Sequence, residues 1–482
     1  MIASLLFVFF GFSLNIFVAA FVNTLASPLS FLSNATGQDR NKPCLYSKLR
    51  DKGKAYPEQT PHSGRHFVPS HPAYRTKFRP RRRFTEGWYY RLTLEDVSFA
   101  FIISIEDPGI RRSDLRLACI QVVGPSDGYL VQADRDDTKF WAWKHKQGLG
   151  CNFEYLTETP SRTTAMSPEE WRNTVKTGFQ VLPTHLQGRI HGHDGSKGGV
   201  LDGQGVPGYC EFDMTIVPLC GWGDTEQKST AGWLASFSVF EPHWQVTLAD
   251  ARATGRVTWK NKTYEFEDAP FYAEKNWGAA LPTKWYWTQC NSFDGYSAPG
   301  EPQLSVTAGG GVRQTPLGKE SLGMICVHYD GVFYEAVPWT GVMEWEVAMW
   351  GSWFLKGRCT TGERPFEVEF TCKVDPQKTP GLVFRAPTPD EGMVYFCRDT
   401  FEADSVLSLW ELVWDDTSKT YIRREGPPII DAARSSQGGA EVGGGPWWDT
   451  WRRVSEMRHL VKALVQLPYR IDRLRRKLPR RN

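Results

Sequence analysis

In the run Phe271 to Asn291, FYAEKNWGAALPTKWYWTQCN, one carboxylate, Glu274, stands among Tyr272, Trp277, Trp285, Tyr286 and Trp287. Two readings are open for such an acid. It is a structural hydrogen-bond acceptor at a strand end, since perturbed carboxylates also occur in purely structural networks. Or apolar rings keep it protonated, the state that donates a proton to a weakly basic substrate. A second cluster, Phe240-Glu241-Pro242-His243-Trp244, sets an acid, an imidazole and an indole side by side. There His243 is either a proton relay or a satisfied structural histidine. A third acid, Glu86, precedes an aromatic run that contains Trp88 and Tyr89. His191 and His193 share a face at strand spacing, but no third ligand accompanies them and glycines follow, so a Gly-rich turn without metal is expected. There is no GxSxG and no Ser or Cys with a partner base, which leaves nucleophilic hydrolysis unsupported. Gly309-Gly310-Gly311 and Gly443-Gly444-Gly445-Pro446 lack the Gly-Lys-Ser/Thr of a phosphate loop and read as bulges or close backbone approaches.

The elements that hold these residues read as strands. Trp88, Tyr90, Leu92 and Leu94 alternate with their neighbours, and so do Phe99, Phe101, Ile103 and Ile105, across a turn at Glu95-Asp96. Shorter runs follow at Cys119 to Val123, Gly128 to Ala133, Phe140 to Lys144, Phe212 to Val217, Trp233 to Val239 and Trp244 to Leu248. A weak duplication is visible, with Glu86-Gly87-Trp88-Tyr89-Tyr90 opening one series and Lys284-Trp285-Tyr286-Trp287 another. One short helix is expected from Ser167-Pro168-Glu169-Glu170, a Ser cap with Pro at the first helical position. The expected fold is all-β, a barrel or sandwich in each of two domains, residues 58–275 and 276–451.

Composition agrees. Twenty Trp, 28 Phe and 17 Tyr raise the aromatic share to 13% of 482 residues, and 44 Gly with 31 Pro supply turns. The net charge of +3 hides an asymmetry: residues 452–482 hold 11 Lys or Arg against 2 Asp or Glu, so the rest is mildly acidic. That body carries no nucleic-acid footprint. Ten scattered Cys without a CxxC pair read as buried free thiols of a reducing compartment. No charge occurs before Asp39, and the apolar stretch Leu5 to Phe21 with Val18-Ala19-Ala20 reads as a signal-peptide core over residues 1–20. A transit-peptide-like linker over 21–57 would complete a bipartite presequence for a complex plastid; secretion and a retained anchor are the alternatives. In the tail, Val454, Met457, Leu460, Val461, Leu464 and Leu467 recur at three and four among basic residues, the pattern of an interfacial amphipathic helix or of a helix packed on the body.

Long runs include FTEGWYYR (84–91), CGWGDTEQKSTAGW (220–233), VFEPHWQV (239–246), YEFEDAPFYAEKNWG (264–278), KWYWTQCN (284–291), LSVTAGGGVRQ (304–314), VPWTGVMEWE (337–346) and EVGGGPW (441–447), spanning about residues 60–450. In these colinear runs the chain resembles the tocopherol cyclase family of plastid vitamin E synthesis. The leader and the strongly basic tail depart from that pattern. The resemblance implies two lipocalin-like, calycin-type antiparallel barrels. It also implies a cofactor-free cyclisation of a phytylated benzoquinol such as 2,3-dimethyl-6-phytyl-1,4-benzoquinol, on a plastoglobule or thylakoid surface. In that reaction a proton adds to the prenyl double bond and the phenol oxygen captures the tertiary cation. An acid-x-Asn/Gln-Trp-Gly run at the domain junction of related isoprenoid hydratases points at Glu274 as the acid, with Glu241 and His243 next and Glu86 third. Trp277, Trp285 and Trp287 would face the cation, Asn276 or Tyr89 would hold the quinol, and Glu86 and Trp88 would border it. An isoprenoid hydratase and a non-catalytic lipid-binding barrel are the competing expectations.

Overall fold

The computed structural model describes residue 65 and residues 83–466, apart from 110–112, 127, 158–162, 195–206, 224–227, 233–240, 299–300, 302, 316–317, 362–363, 456, 458–461 and 464. The expected presequence and the expected strand at Trp233 to Val239 lie outside the described residues.

Eleven strands make the first sheet: β1 (Thr85–Thr93), β2 (Ser98–Glu106), β3 (Leu117–Gly124), β4 (Gly128–Asp134), β5 (Phe140–Ala142), β6 (Leu149–Tyr155), β7 (Val175–Leu182), β8 (His185–Asp194), β9 (Pro207–Cys220), β10 (His243–Trp259) and β11 (Lys262–Gly278). Their order is β4-β3-β2-β1-β11-β10-β9-β8-β7-β6-β5, and β4 also pairs with β8 through Leu130↔Asp194 and Val131↔His193. That pairing closes eight of the strands into a ring with β7, β6 and β5 as an extension. The closure corrects the expectation of a Gly-rich turn at His191 to Asp194, which is the end of β8. Gly192 permits the crossing, because a Cβ there would stand 2.7 Å from the Val131 carbonyl oxygen. Inside the ring, Phe99, Phe101, Ile103, Phe212, Val257 and Phe271 form the core, with the Phe101 and Phe212 rings 4.3 Å apart. The expected helix, α1 (Pro168–Thr174), is present, and its Ser167 side chain accepts from the Glu170 amide at 3.2 Å.

The second sheet uses β12 (Lys284–Cys290), β13 (Leu304–Thr315), β14 (Gly318–Tyr329), β15 (Val332–Ala336), β16 (Gly341–Val347), β17 (Ser352–Cys359), β18 (Phe366–Lys373), β19 (Leu382–Thr388), β20 (Gly392–Asp415), β21 (Thr420–Arg423), β22 (Ile430–Gly444) and β23 (Trp451–Ser455). The order is β15-β14-β13-β12-β22-β20-β18-β17-β16-β23, with β19 and β21 on β20. The Gly323 amide of β14 donates to Ser455 Oγ of the far edge strand β23 at 2.9 Å, so the two ends of the sheet meet. This sheet encloses a separate core that includes Trp345, Trp353, Leu355, Phe370 and Leu407. The expected division after Lys275 falls inside β11; the chain passes to the second sheet between Gly278 and Lys284.

The basic tail begins differently from expectation. Arg452, Arg453 and Val454 are in a strand, because β16 offers an unpaired edge and its Glu346 accepts Arg452 at 2.7 Å. Residues 462–463 and 465–466 are helical and Val465 is buried; Leu460, Val461, Leu464 and Leu467 lie outside the described residues.

Strand alternation gives β1 and β11 two unlike faces. Trp88, Tyr90, Leu92, Phe271, Ala273 and Trp277 belong to the ring core. Tyr89, Arg91, Tyr272, Glu274 and Asn276 lie at the intervening positions, on the outer face, and this is the face that meets the second sheet. There Arg91 donates to Gln289 Oε1 at 2.7 Å and to the Gln437 carbonyl oxygen. Gln121 and Arg385 exchange two bonds at 3.1 and 3.2 Å, and Asn291 Nδ2 donates to Asp250 Oδ1 at 2.9 Å. The seam is thus a hydrogen-bonded junction, and the candidate chemistry sits within it.

Candidate active site

A cavity of about 250 Å³ opens between the outer face of the first sheet and the second sheet. Glu274 enters from β11, with Tyr89 opposite it on β1 and Val246 opposite it on β10. The second sheet contributes Trp285 and Trp287 of β12, Glu441 of β22 and the bare strand wall Gly309-Gly310-Gly311 of β13. The glycines are there because rings come close. A Cβ on Gly310 would stand 2.5 Å from the Tyr286 ring, and one on Gly443 would stand 1.9 Å from the Trp285 ring. The glycine runs therefore read correctly as close backbone approaches, although Gly309–Gly311 and Gly443 lie in strands and only Gly444, the last residue of β22, has a left-handed φ of 65°.

Glu274 is 7% exposed. Its Oε2 accepts from Trp244 Nε1 at 2.7 Å, Tyr272 Oη at 2.6 Å and Trp287 Nε1 at 2.9 Å. Its Oε1 accepts only a long bond from Asn276 Nδ2, at 3.3 Å. Burial pushes the carboxyl pKa up, and the four donors pull it down without cancelling the rise. Oε2 is saturated, and two of its donors are indoles that cannot accept. A proton on Glu274 therefore sits on Oε1.

A second carboxyl shares the cavity. Glu441 accepts from Trp285 Nε1, and it is the cross-strand partner of Trp287, whose indole holds Glu274. Burial and the neighbouring Glu274 charge push its pKa up to about 7, against the pull of Trp285 and Cys397. The two indole–carboxyl pairs hang from one face of β12, about 7 Å apart along the strand. Tyr89 adds a phenol whose buried Oη has no hydrogen-bond partner, with its ring 5.3 Å edge-on from Trp287. Burial first, then the charge of Asp399, raises the Tyr89 pKa well above its usual value. Among the described residues no group of three or more His, Cys, Asp and Glu side chains is placed to hold a metal ion.

The residues singled out from sequence divide between the two faces. Glu274, Asn276, Tyr89, Trp285 and Trp287 meet at the cavity. His243 also lines it, stacked on Trp277 at 4.8 Å and 24°. Glu241 stands outside the lining, with its carboxylate beside Gly278. Glu86 faces the ring core, fully buried in an ion pair with Lys275 at 2.7 Å, and is not among the residues that line the cavity. The Lys275 ammonium lies 5.4 Å from the Trp88 ring and 5.2 Å from the Trp277 ring, so Trp277 already has a cation at its face. Trp88 and Trp277 also line the cavity, although both pack in the ring core and Trp88 is 1% exposed. Sequence reasoning missed Trp244 and Tyr272 as donors to Glu274, and missed Glu441 altogether. The signal for Glu441 was its position just ahead of Gly443-Gly444-Gly445.

The profile of the family described as tocopherol cyclase-like matches residues 82–444. A protein of Zea mays named tocopherol cyclase, chloroplastic, is 37% identical over 433 residues, 86% of this chain and 84% of its own length. A probable tocopherol cyclase, chloroplastic, of Oryza sativa subsp. japonica is 38% identical over 426 residues, 84% of this chain and 83% of its own. Among solved structures, CghA with Sch210972 aligns with 81% of this chain and 98% of that one at 12% identity and a TM-score of 0.39.

Proposed function

This chain belongs to the tocopherol cyclase-like family, and we propose that it closes the chromanol ring of a tocopherol from a phytylated benzoquinol, working in the plastid. The substrate class is that of 2,3-dimethyl-6-phytyl-1,4-benzoquinol. The observation that carries this reading is Glu274: a buried carboxyl in a cavity between sheets, with one oxygen fixed by three neutral donors and the other turned to a single weak one.

The chemistry follows from that geometry. An alkene is a very weak base, so its protonation needs a neutral carboxylic acid at working pH. Burial raises the Glu274 pKa, and Trp244, Tyr272 and Trp287 stabilise the anion left once the proton is gone. The Oε1 proton adds to the CH carbon of the prenyl double bond nearest the ring, leaving a tertiary cation. Indole faces of Trp285 and Trp287 stabilise that cation through their quadrupoles, by about 2 kcal/mol in a dry site. Asn276 and the unpartnered Tyr89 hydroxyl orient the quinol hydroxyls. The phenol oxygen then closes a six-membered ring on the cation, and the sheet walls hold water away from it. Peripheral docking on a plastoglobule or thylakoid surface belongs to the same proposal. It is supported by the apolar substrate and by Trp448 and Val454, 85% and 53% exposed, beside Arg452 and Arg453.

The test is product analysis with the full chain and the dimethyl-phytyl quinol, beside Glu274→Gln. Wild type forms γ-tocopherol, and the variant binds the quinol without converting it. A hydroxylated, uncyclised product identifies a hydratase instead. Binding without conversion by the wild type identifies a lipid carrier.

A further inference from the structure

We propose that Glu441 is a second catalytic carboxyl of this site, the group that takes the phenol proton as the C–O bond closes and stores it between turnovers. This rests on the cyclase reading and goes beyond it, because protonating the alkene solves only half of the proton bookkeeping. Cyclisation adds one proton at carbon and releases one from oxygen. The Glu274 anion left by the first step is one acceptor for that proton, and a second carboxyl in the same cavity is another.

The geometry points to Glu441 for three reasons. It lines the same cavity as Glu274. It is held by Trp285 as Glu274 is held by Trp287, two positions along one face of β12. And it carries fewer donors than Glu274, so it is the carboxyl of the two with room for a substrate hydroxyl. The groups around it are Trp285 on β12, Cys397 and Asp399 on β20, Glu274 on β11, and Tyr89 and Arg91 on β1. Arg91 is committed to Gln289 and Gln437, and so is not a counter-ion for the pair.

One proton serves both carboxyls. At rest it sits on Glu441, the less hydrogen-bonded of the two, and burial supports this by raising that pKa to about 7. Substrate reverses the order. A quinol O–H donating to Glu441 favours its anion, while the isoprenoid chain packed on Glu274 disfavours the anion there, and the proton moves to Glu274 Oε1. Glu274 then gives it to the alkene carbon. The phenol oxygen forms the C–O bond, its O–H bond breaks, and the proton goes to Glu441. Glu274 is left as the anion and Glu441 as the acid, which is the starting state. No oxidant or cofactor enters the balance.

The experiment runs the full chain in D2O with the phytylated quinol, comparing wild type, Glu441→Gln, Glu441→Asp and Trp285→Phe. Glu441→Gln, near-isosteric and able to keep the Trp285 bond, is expected to lose at least 100-fold in chromanol formation. It should still place deuterium in recovered quinol or in double-bond isomers, because Glu274 still protonates the alkene. Glu441→Asp recovers part of the cyclisation. Trp285→Phe folds without the donor, and the acidic limb of its kcat profile moves to higher pH. If Glu441→Gln cyclises within threefold of wild type, or loses deuterium uptake together with cyclisation while binding quinol, the proposal fails and the cyclase reading stands. If wild type binds quinol and never cyclises it, both fail.

Discussion

Glu86 and Glu274 sit three residues apart in register on neighbouring strands and face opposite ways. Glu86 looks into the ring core and meets an ammonium, Lys275, at 2.7 Å, with both side chains fully buried. Glu274 looks out at the sheet junction and meets four neutral donors. In the first case burial lowers the Lys275 pKa and the Glu86 carboxylate opposes that fall, with Lys275 clasped between Trp88 and Trp277. In the second the named partners fix one oxygen but supply no countercharge, and burial raises the pKa of a carboxyl that borders a cavity. The difference teaches that burial alone does not make a carboxylate a reagent. What matters is whether the surroundings neutralise it or merely aim it.

The comparison can be broken on either side. Glu274→Gln is expected to cut turnover by roughly 10⁴-fold, about 5 kcal/mol of barrier, with the fold retained; single-turnover rates and a melting curve measure both. Lys275→Met reverses that pattern. It strands a buried carboxylate and should cost about 3–5 kcal/mol of stability in urea unfolding, while the double variant with Glu86→Gln recovers most of it. Equal stability losses at Glu274 and Lys275 would erase the distinction between the two acids. A smaller effect sharpens it: Trp287→Phe removes one donor that favours the Glu274 anion. The acid form then persists to higher pH, so the basic limb of the rate profile moves up while kcat falls about tenfold.

A further effect is on stability against pH. A carboxyl whose folded pKa is raised binds its proton more tightly when folded, so its contribution is full below the unfolded value and is lost as pH rises through the folded one. Glu441 and Glu106 are both pushed up to about 7, so stability should fall between about pH 4.5 and 7. Glu441→Gln should flatten part of that fall, and unfolding at pH 5 and pH 8 measures it.

What could be read in advance follows the physics of each segment. β1 and β2 announce themselves because aromatic and β-branched residues alternate over a one-sided core. The β-rich class and the helix start at Ser167 were legible for equally local reasons. β22 was not: its run RSSQGGAEVGG is polar and glycine-rich, because rings from neighbouring strands fill the space its side chains would take. Glu441 was hidden with it. At Glu86 and Glu274 the sequence offers the same signal, an acid beside aromatic residues. Only strand register shows that one lies over a lysine and the other over a cavity. The family resemblance pointed to this stretch, and register shows which of the two acids faces the cavity.

The junction between the sheets also has a consequence for the order in which the chain becomes dangerous to its surroundings. The first ring needs only residues up to Gly278, so it can close while the second sheet is still being synthesised. At that moment Glu274 lies on an outer face not yet covered by Trp287 or the opposing wall, so the burial that raises its pKa is incomplete. The indoles of β12 come next, and the strand that carries Glu441 comes nearly last. A truncated product would fold in part and carry the acid, yet have no acid strength to spend on a stray alkene. In the proposed mechanism, the reactive proton belongs to the finished molecule alone.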